Sequence, residues 1–174
     1  MTRVIPVSAF STSSDFEALH VLVVDDNSFF RKLERSMLRQ LGVDTVYEAS
    51  DGLDALTRLD QRECDLVLLD WNMPSFPGAD FLRLIRDKDD VYFRSIPVIV
   101  VTSFANQALV LKAVELGANG VVVKPFSIAL LRDRILATGA TCRAGQSLSG
   151  ERHERLPAVA IDDPTAVFDI DGMM

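Results

Sequence analysis

Five short runs rich in β-branched and apolar residues, each followed by a longer stretch with helical spacing, constrain this chain more than any other feature. The runs are 20–24 (HVLVV), 45–49 (TVYEA), 65–69 (DLVLL), 97–101 (PVIVV) and 120–123 (GVVV). Each is too short for an independent helix and reads as a strand. Most are apolar throughout rather than alternating, as expected where helices cover both faces of a sheet. Five strands alternating with five helices predict an α/β domain, a doubly wound five-stranded parallel sheet flanked by five helices.

Local punctuation supports this division. The first strand stops at Asp25-Asp26-Asn27-Ser28, residues that suit a loop and a helix N-cap. The helix that follows runs to Leu41, with Phe30, Leu33, Met37 and Leu41 at helical spacing, and Gly42 ends it. Further helices are predicted over 51–59, 79–87, 106–116 (closed by Gly117) and 127–137. Residues 1–17 read as a flexible N-terminal extension, 18–138 as the folded domain, and 139–174 as a C-terminal tail with a possible docking segment.

Composition narrows the functional classes. With 48% apolar and 25% charged residues, 174 residues suffice for one ordinary core. No apolar run approaches the ~18–20 residues of a membrane helix. No basic region precedes an apolar leader, so a cytoplasmic protein with no membrane partner is expected. Cys64 and Cys142 lack the spacing of a metal site or a disulfide framework and are expected to be inert thiols. His20 and His153 suggest no role. The net charge of −7 is not offset by a basic patch anywhere, which argues against nucleic-acid binding.

Parallel strands bring their carboxyl ends to one edge, where ligands bind in such sheets. Asp25 and Asp26 follow the first strand, Asp70 the third, Thr102 and Ser103 the fourth, and Lys124 the fifth. Each alone has an ordinary reading as a helix cap or a loop residue. Together they gather three carboxylates, a hydroxyl pair and one ammonium in one crevice. Crowded carboxylates repel, and a divalent cation relieves that. Oxygen ligands without His or Cys favour Mg²⁺. A carboxylate can attack phosphorus, and the metal and Lys124 could neutralise the phosphoryl charge. The reading is phosphoryl transfer to an aspartate.

At these residues the sequence resembles the bacterial response-regulator receiver family, especially its single-domain, CheY-like chemotaxis regulators. The carrying segments are VLVVDDNSFFRK (21–32), EASDGLDAL (48–56), LVLLDWNMPSFPG (66–78), IPVIVVTS (96–103) and GANGVVVKPF (117–126). The resemblance implies the flavodoxin-like fold. It implies Asp70 as phosphoacceptor, and Asp26 and Asp70 as direct Mg²⁺ ligands with Asp25 acting mostly through water. The backbone carbonyl of Asn72 is a further implied ligand. Thr102 would bond the phosphoryl oxygen and Lys124 would pair with it, and the Lys124–Pro125 bond would be cis. The implied donor is a phosphohistidine on a histidine kinase or a histidine phosphotransfer protein. Such a protein catalyses only its own phosphorylation and dephosphorylation, and is not an enzyme in the ordinary sense. A phosphate sink or relay intermediate, and an interaction module that works without phosphorylation, are the alternatives.

Two positions depart from the family pattern. Val121 stands where an aromatic switch residue is usual, and Phe104 stands where a polar or small residue is usual. A bulky Phe104 is expected to obstruct the attacking water and slow self-hydrolysis. The apolar helix 106–116 is expected to offer a face for a downstream protein target, a homodimer or the chain's own tail. Of the Phe29–Phe30 pair, Phe29 is expected to face outward, where a donor helix could dock.

Overall fold

The structure, a computed structural model, describes residues 14–140. Residues 1–13 and 141–174, with Cys142, His153 and most of the proposed tail, lie outside the described residues. The strands are β1 (His20–Val24), β2 (Thr45–Ala49), β3 (Leu66–Asp70), β4 (Val98–Thr102) and β5 (Gly120–Val123). They form one parallel sheet in the order β2-β1-β3-β4-β5. The chain order reverses between β1 and β3, which makes their carboxyl ends the switch point of the sheet.

Period-two alternation divides the core between the two faces. Leu22, Val24, Val67, Leu69, Val98 and Val100 point one way. There they meet α3 (Gly52–Gln61), α4 (Gly78–Asp87), α5 (Val91–Ser95) and α6 (Gln107–Glu115). Val21, Val23, Leu66, Leu68, Ile99 and Val101 point the other way. They pack on α1 (Ser14–Glu17), α2 (Ser28–Gln40) and α7 (Ile128–Ala137). All five residues of β3 are buried, as the unbroken apolar run required.

The helix ends follow the chemistry expected of them. Asn27, Asp51, Asn106 and Ser127 each accept a backbone N–H at the first turn of α2, α3, α6 and α7. Gly42 and Gly117 adopt positive φ just past α2 and α6. The Val43 N–H then reaches the Leu38 carbonyl, and the Ala118 N–H that of Ala113, closing two Schellman turns.

The five expected helices are joined by two short ones. Val91–Ser95 forms α5, capped by Asp90, whose side chain accepts the Tyr92 N–H. Its Phe93 is buried, but five residues are too few to display a helical period. Residues 14–17, within the stretch read as an extension, form the helical turn α1, and Phe16 packs into the core from it. Of the apolar stripe expected on α2, Met37 and Leu41 pack against the core and Phe30 is half-buried. Leu33 is 40% exposed, while Glu34 and Leu38 are the most deeply buried pair, one turn apart.

Candidate functional site

The carboxyl edge of the sheet collects the residues singled out by the sequence. Val24 pairs with Leu69, so Asp25 and Asp70 are the next residues along neighbouring strands. Asp70 pairs with Val101, and Thr102 with Val123, which brings Thr102 and Lys124 to the same edge. Asp25, Asp70 and Thr102 are buried, while Asp26 is exposed. The Asp25, Asp26 and Asp70 carboxylates each offer an oxygen within 4.8 Å of the others. Three such oxygens with no nitrogen or sulfur donor among them fit a hard, oxygen-seeking divalent cation.

Lys124 reaches back over this cluster. Its side chain is almost wholly buried, and its ammonium donates a short hydrogen bond to Asp25 Oδ2. The same Nζ lies 3.5 Å from Asp70 Oδ1 and 4.2 Å from the centre of the Phe30 ring. The Lys124–Pro125 peptide is cis, as the resemblance implied. The Lys124 N–H donates to the Thr102 carbonyl at 2.8 Å, which ties the loop after β5 to the end of β4.

Burial pushes the Asp70 carboxyl above its ordinary value, against the opposing pull of Lys124, and the negative charges of Asp25 and Asp26 add to the rise. Burial acts the other way on Lys124. The hydrogen bond to Asp25 and the charges of Asp70, Asp25 and Glu34 outweigh it, leaving the ammonium above its ordinary value. The lysine is therefore a permanent cation at neutral pH.

Thr102 is fully buried, and its hydroxyl is already engaged. It donates to the Phe104 carbonyl at 2.9 Å and lies 3.3 Å from the Asn72 side-chain amide, which donates to it. A hydroxyl has one hydrogen to give. Any new acceptor must take it from Phe104, so the state of Thr102 is coupled to the loop that follows β4. Phe104 is exposed on that loop, Asn72 is exposed beside Trp71, and Val121 is buried in the core. Phe29 is exposed and meets Phe30 edge to face, in agreement with the expectation for the pair.

Glu34 was not anticipated. It projects from α2 into the same region, buried, with Oε1 at 3.9 Å from Lys124 Nζ and no hydrogen-bond partner among the described residues. Burial raises its carboxyl to about 8, against the opposing charge of Lys124. A signal was present: Glu34 falls between Phe30 and Leu38 at i±4, with Met37 at i+3, so three of its four helical neighbours are apolar. A surface recess among the described residues, lined by Leu59, Arg62, Asp90, Tyr92 and Phe93, belongs to the α3–α5 region and contains none of these groups.

The family model for the response regulator receiver domain matches residues 21–136. The chain is 38% identical over 117 residues to the chemotaxis protein CheY-3 of Vibrio cholerae, covering 67% of this chain and 88% of that one. It is equally identical to the chemotaxis protein CheY of Pseudomonas aeruginosa, covering 93% of that protein. Among solved structures, V. cholerae CheY4 aligns with a TM-score of 0.64 at 27% identity, over 69% of this chain and 98% of its own. The receiver domain of a sensor histidine kinase from P. aeruginosa, solved with a magnesium ion coordinated in its active-site cleft, aligns with a TM-score of 0.61 at 30% identity, over 70% of this chain and 98% of its own. On its sequence, its sheet order and its acidic edge, the chain belongs to the response regulator receiver domain family.

Proposed function

We propose that this protein is a CheY-like response regulator of a two-component system, switched by phosphorylation of Asp70 in the presence of Mg²⁺. The observation that carries the reading is the convergence of the Asp25, Asp26 and Asp70 carboxylates within 4.8 Å, with the Lys124 ammonium among them. Asp25, Asp26 and Asp70, with the backbone carbonyl of Asn72, would hold the metal. When bound, Mg²⁺ supplies charge neutralisation for the phosphoryl oxygens. The cation and Lys124 would hold the Asp70 carboxyl ionised against the burial that raises it, leaving an oxygen free to attack. One of its oxygens attacks the phosphorus of a phosphohistidine. The P–N bond of the donor breaks as the P–O bond forms, and the imidazole of the donor leaves with the electron pair.

Lys124 then pairs with a phosphoryl oxygen. Thr102 gives its hydroxyl hydrogen to another and releases the Phe104 carbonyl. Through that exchange the loop after β4 and the neighbouring α6 report the state of Asp70 to a partner. Within α6 only Leu111 is an exposed large apolar residue, while Val110 and Ala113 are buried. The face is narrower than its sequence suggested, and a homodimer through it is proposed as one outcome of the switch. Sedimentation velocity that shows the same mass with and without phosphodonor would remove the dimer from this reading.

The test uses Trp71, the only tryptophan, which directly follows Asp70. Titrating Mg²⁺ should change its fluorescence to saturation. Acetyl phosphate should then add one phosphoryl group by intact mass, with Asp70→Asn losing that addition. If the wild type takes up no phosphate from acetyl phosphate or from a histidine kinase donor, the phosphoacceptor reading is wrong, and a phosphorylation-independent interaction module replaces it.

A further inference from the structure

Lys124 has three carboxylates within 4.0 Å of its ammonium: Asp25, Asp70 and Glu34. Asp25 and Asp70 belong to the cluster that fits a cation, and Glu34 does not. Glu34 is nonetheless as buried as they are, and one of its oxygens has no hydrogen-bond partner among the described residues. An unsatisfied buried carboxyl oxygen is costly, and an apolar residue at this helical position would avoid the cost. The 3.9 Å separation from Nζ is too long for a hydrogen bond and short enough to become one by a small side-chain rotation. Phe30, one turn earlier on α2, has its ring against the same ammonium. Two residues of one helix face thus enclose Lys124 from α2.

We infer that Glu34 is a positioning residue for Lys124, the acceptor to which the ammonium turns when Asp25 and Asp70 are given over to a divalent cation. The inference rests on the receiver reading of the site. Without cation the ammonium neutralises Asp25 and is held there by a charge-assisted hydrogen bond. A cation held by Asp25 and Asp70 repels the ammonium beside them, and a buried ammonium displaced from Asp25 with no other anion near would resist. Glu34 gives it a nearby partner inside the protein, and the approach of the ammonium favours the ionised carboxylate. Glu34 thereby lowers the cost of opening the acidic cluster while keeping Lys124 within reach of Asp70.

The test is a double-mutant cycle on Mg²⁺ affinity in the full chain, read by Trp71 fluorescence or calorimetry near pH 8, where the Glu34 carboxyl titrates at about 8. Glu34→Met, which fills the site without a polar atom, should weaken Mg²⁺ binding roughly three- to ten-fold, within the range of coupled charged neighbours. In the Lys124→Met background the same substitution should leave the affinity unchanged, because there is no ammonium to relocate. Glu34→Gln, which keeps an acceptor oxygen without the charge, should fall between Glu34→Met and wild type. Equal loss in both backgrounds would show that Glu34 attracts the cation by its own charge, and would overturn the inference. So would an unchanged affinity in Glu34→Met. A wild type that does not bind Mg²⁺ at all would overturn the receiver reading and this inference together, whereas a saturable wild-type response with a flat cycle overturns only the inference.

Discussion

A carboxyl buried beside the site gives the metal-free protein a definite pH signature. Glu34 has an ordinary value of 4.5 and rises to about 8 in the fold. Between those values the folded state binds a proton that the unfolded state has lost, so stability falls as pH rises through this window. One group contributes a slope of at most ~1.4 kcal/mol per pH unit. Asp70 is shifted in the same direction and adds to the fall. Denaturant midpoints measured across this range with a chelator present should decline with pH in the wild type and flatten in Glu34→Met. A wild-type midpoint that climbs with pH would falsify the assignment of a raised Glu34. If Asp70 is the phosphoacceptor proposed, the apolar ring of Phe104, exposed on the loop after Thr102, is expected to hinder the water that would attack its phosphorylated form. Phe104→Asn should shorten the phosphoryl lifetime several-fold, measured by loss of the phosphorylated mass after donor removal. An unchanged lifetime would mean that the ring does not stand in the path of the water.

At the scale of elements, helix and strand boundaries were legible because capping and turn residues are local chemistry. Asn27, Asp51, Asn106 and Ser127 cap helices through their own side chains, and Gly42 and Gly117 supply a positive φ, none of which needs a distant partner. The buried face of α2 was not legible in the same way. Phe30, Leu33, Met37 and Leu41 make a good stripe by spacing, and Met37 and Leu41 do pack on the core, but Glu34 and Leu38 beside them are the most deeply buried. The short α5 has too few residues to show a helical period, and its place in the fold is tied by contacts from afar. Arg86 of α4 donates to the carbonyls of Phe93, Ile96 and Gly117 at 2.9–3.2 Å, joining α4, α5 and the approaches to β4 and β5. Removing these charge-assisted bonds in Arg86→Met should destabilise the protein by about 2–3 kcal/mol. It should leave the Trp71 response to Mg²⁺ intact, because Arg86 acts where those strands begin rather than where they end. A loss below ~0.5 kcal/mol would mean that water replaces the bonds at little cost.

For the whole molecule, the acidic edge implies linkage between metal and folding. A cation held by Asp25, Asp26 and Asp70 binds only where the sheet has brought them together, so Mg²⁺ should raise the melting temperature. The gain should approach ~2.7 kcal/mol at a hundredfold excess over the dissociation constant. Scanning calorimetry should show it in the wild type and lose most of it in Asp26→Asn. A melting temperature indifferent to Mg²⁺ would exclude a preformed site. At this scale the sequence alone determined the alternation of strands and helices, the parallel sheet, and which residues stand at strand ends, because periodicity, caps and breakers are written along the chain. Only the tertiary structure decided the strand order that sets β1 beside β3, the enclosure of Lys124, and the presence of Glu34 among the acids. Those are contacts between residues as far apart as 34 and 124, and a local pattern can mark the buried face of a helix without saying which distant residue will meet it there.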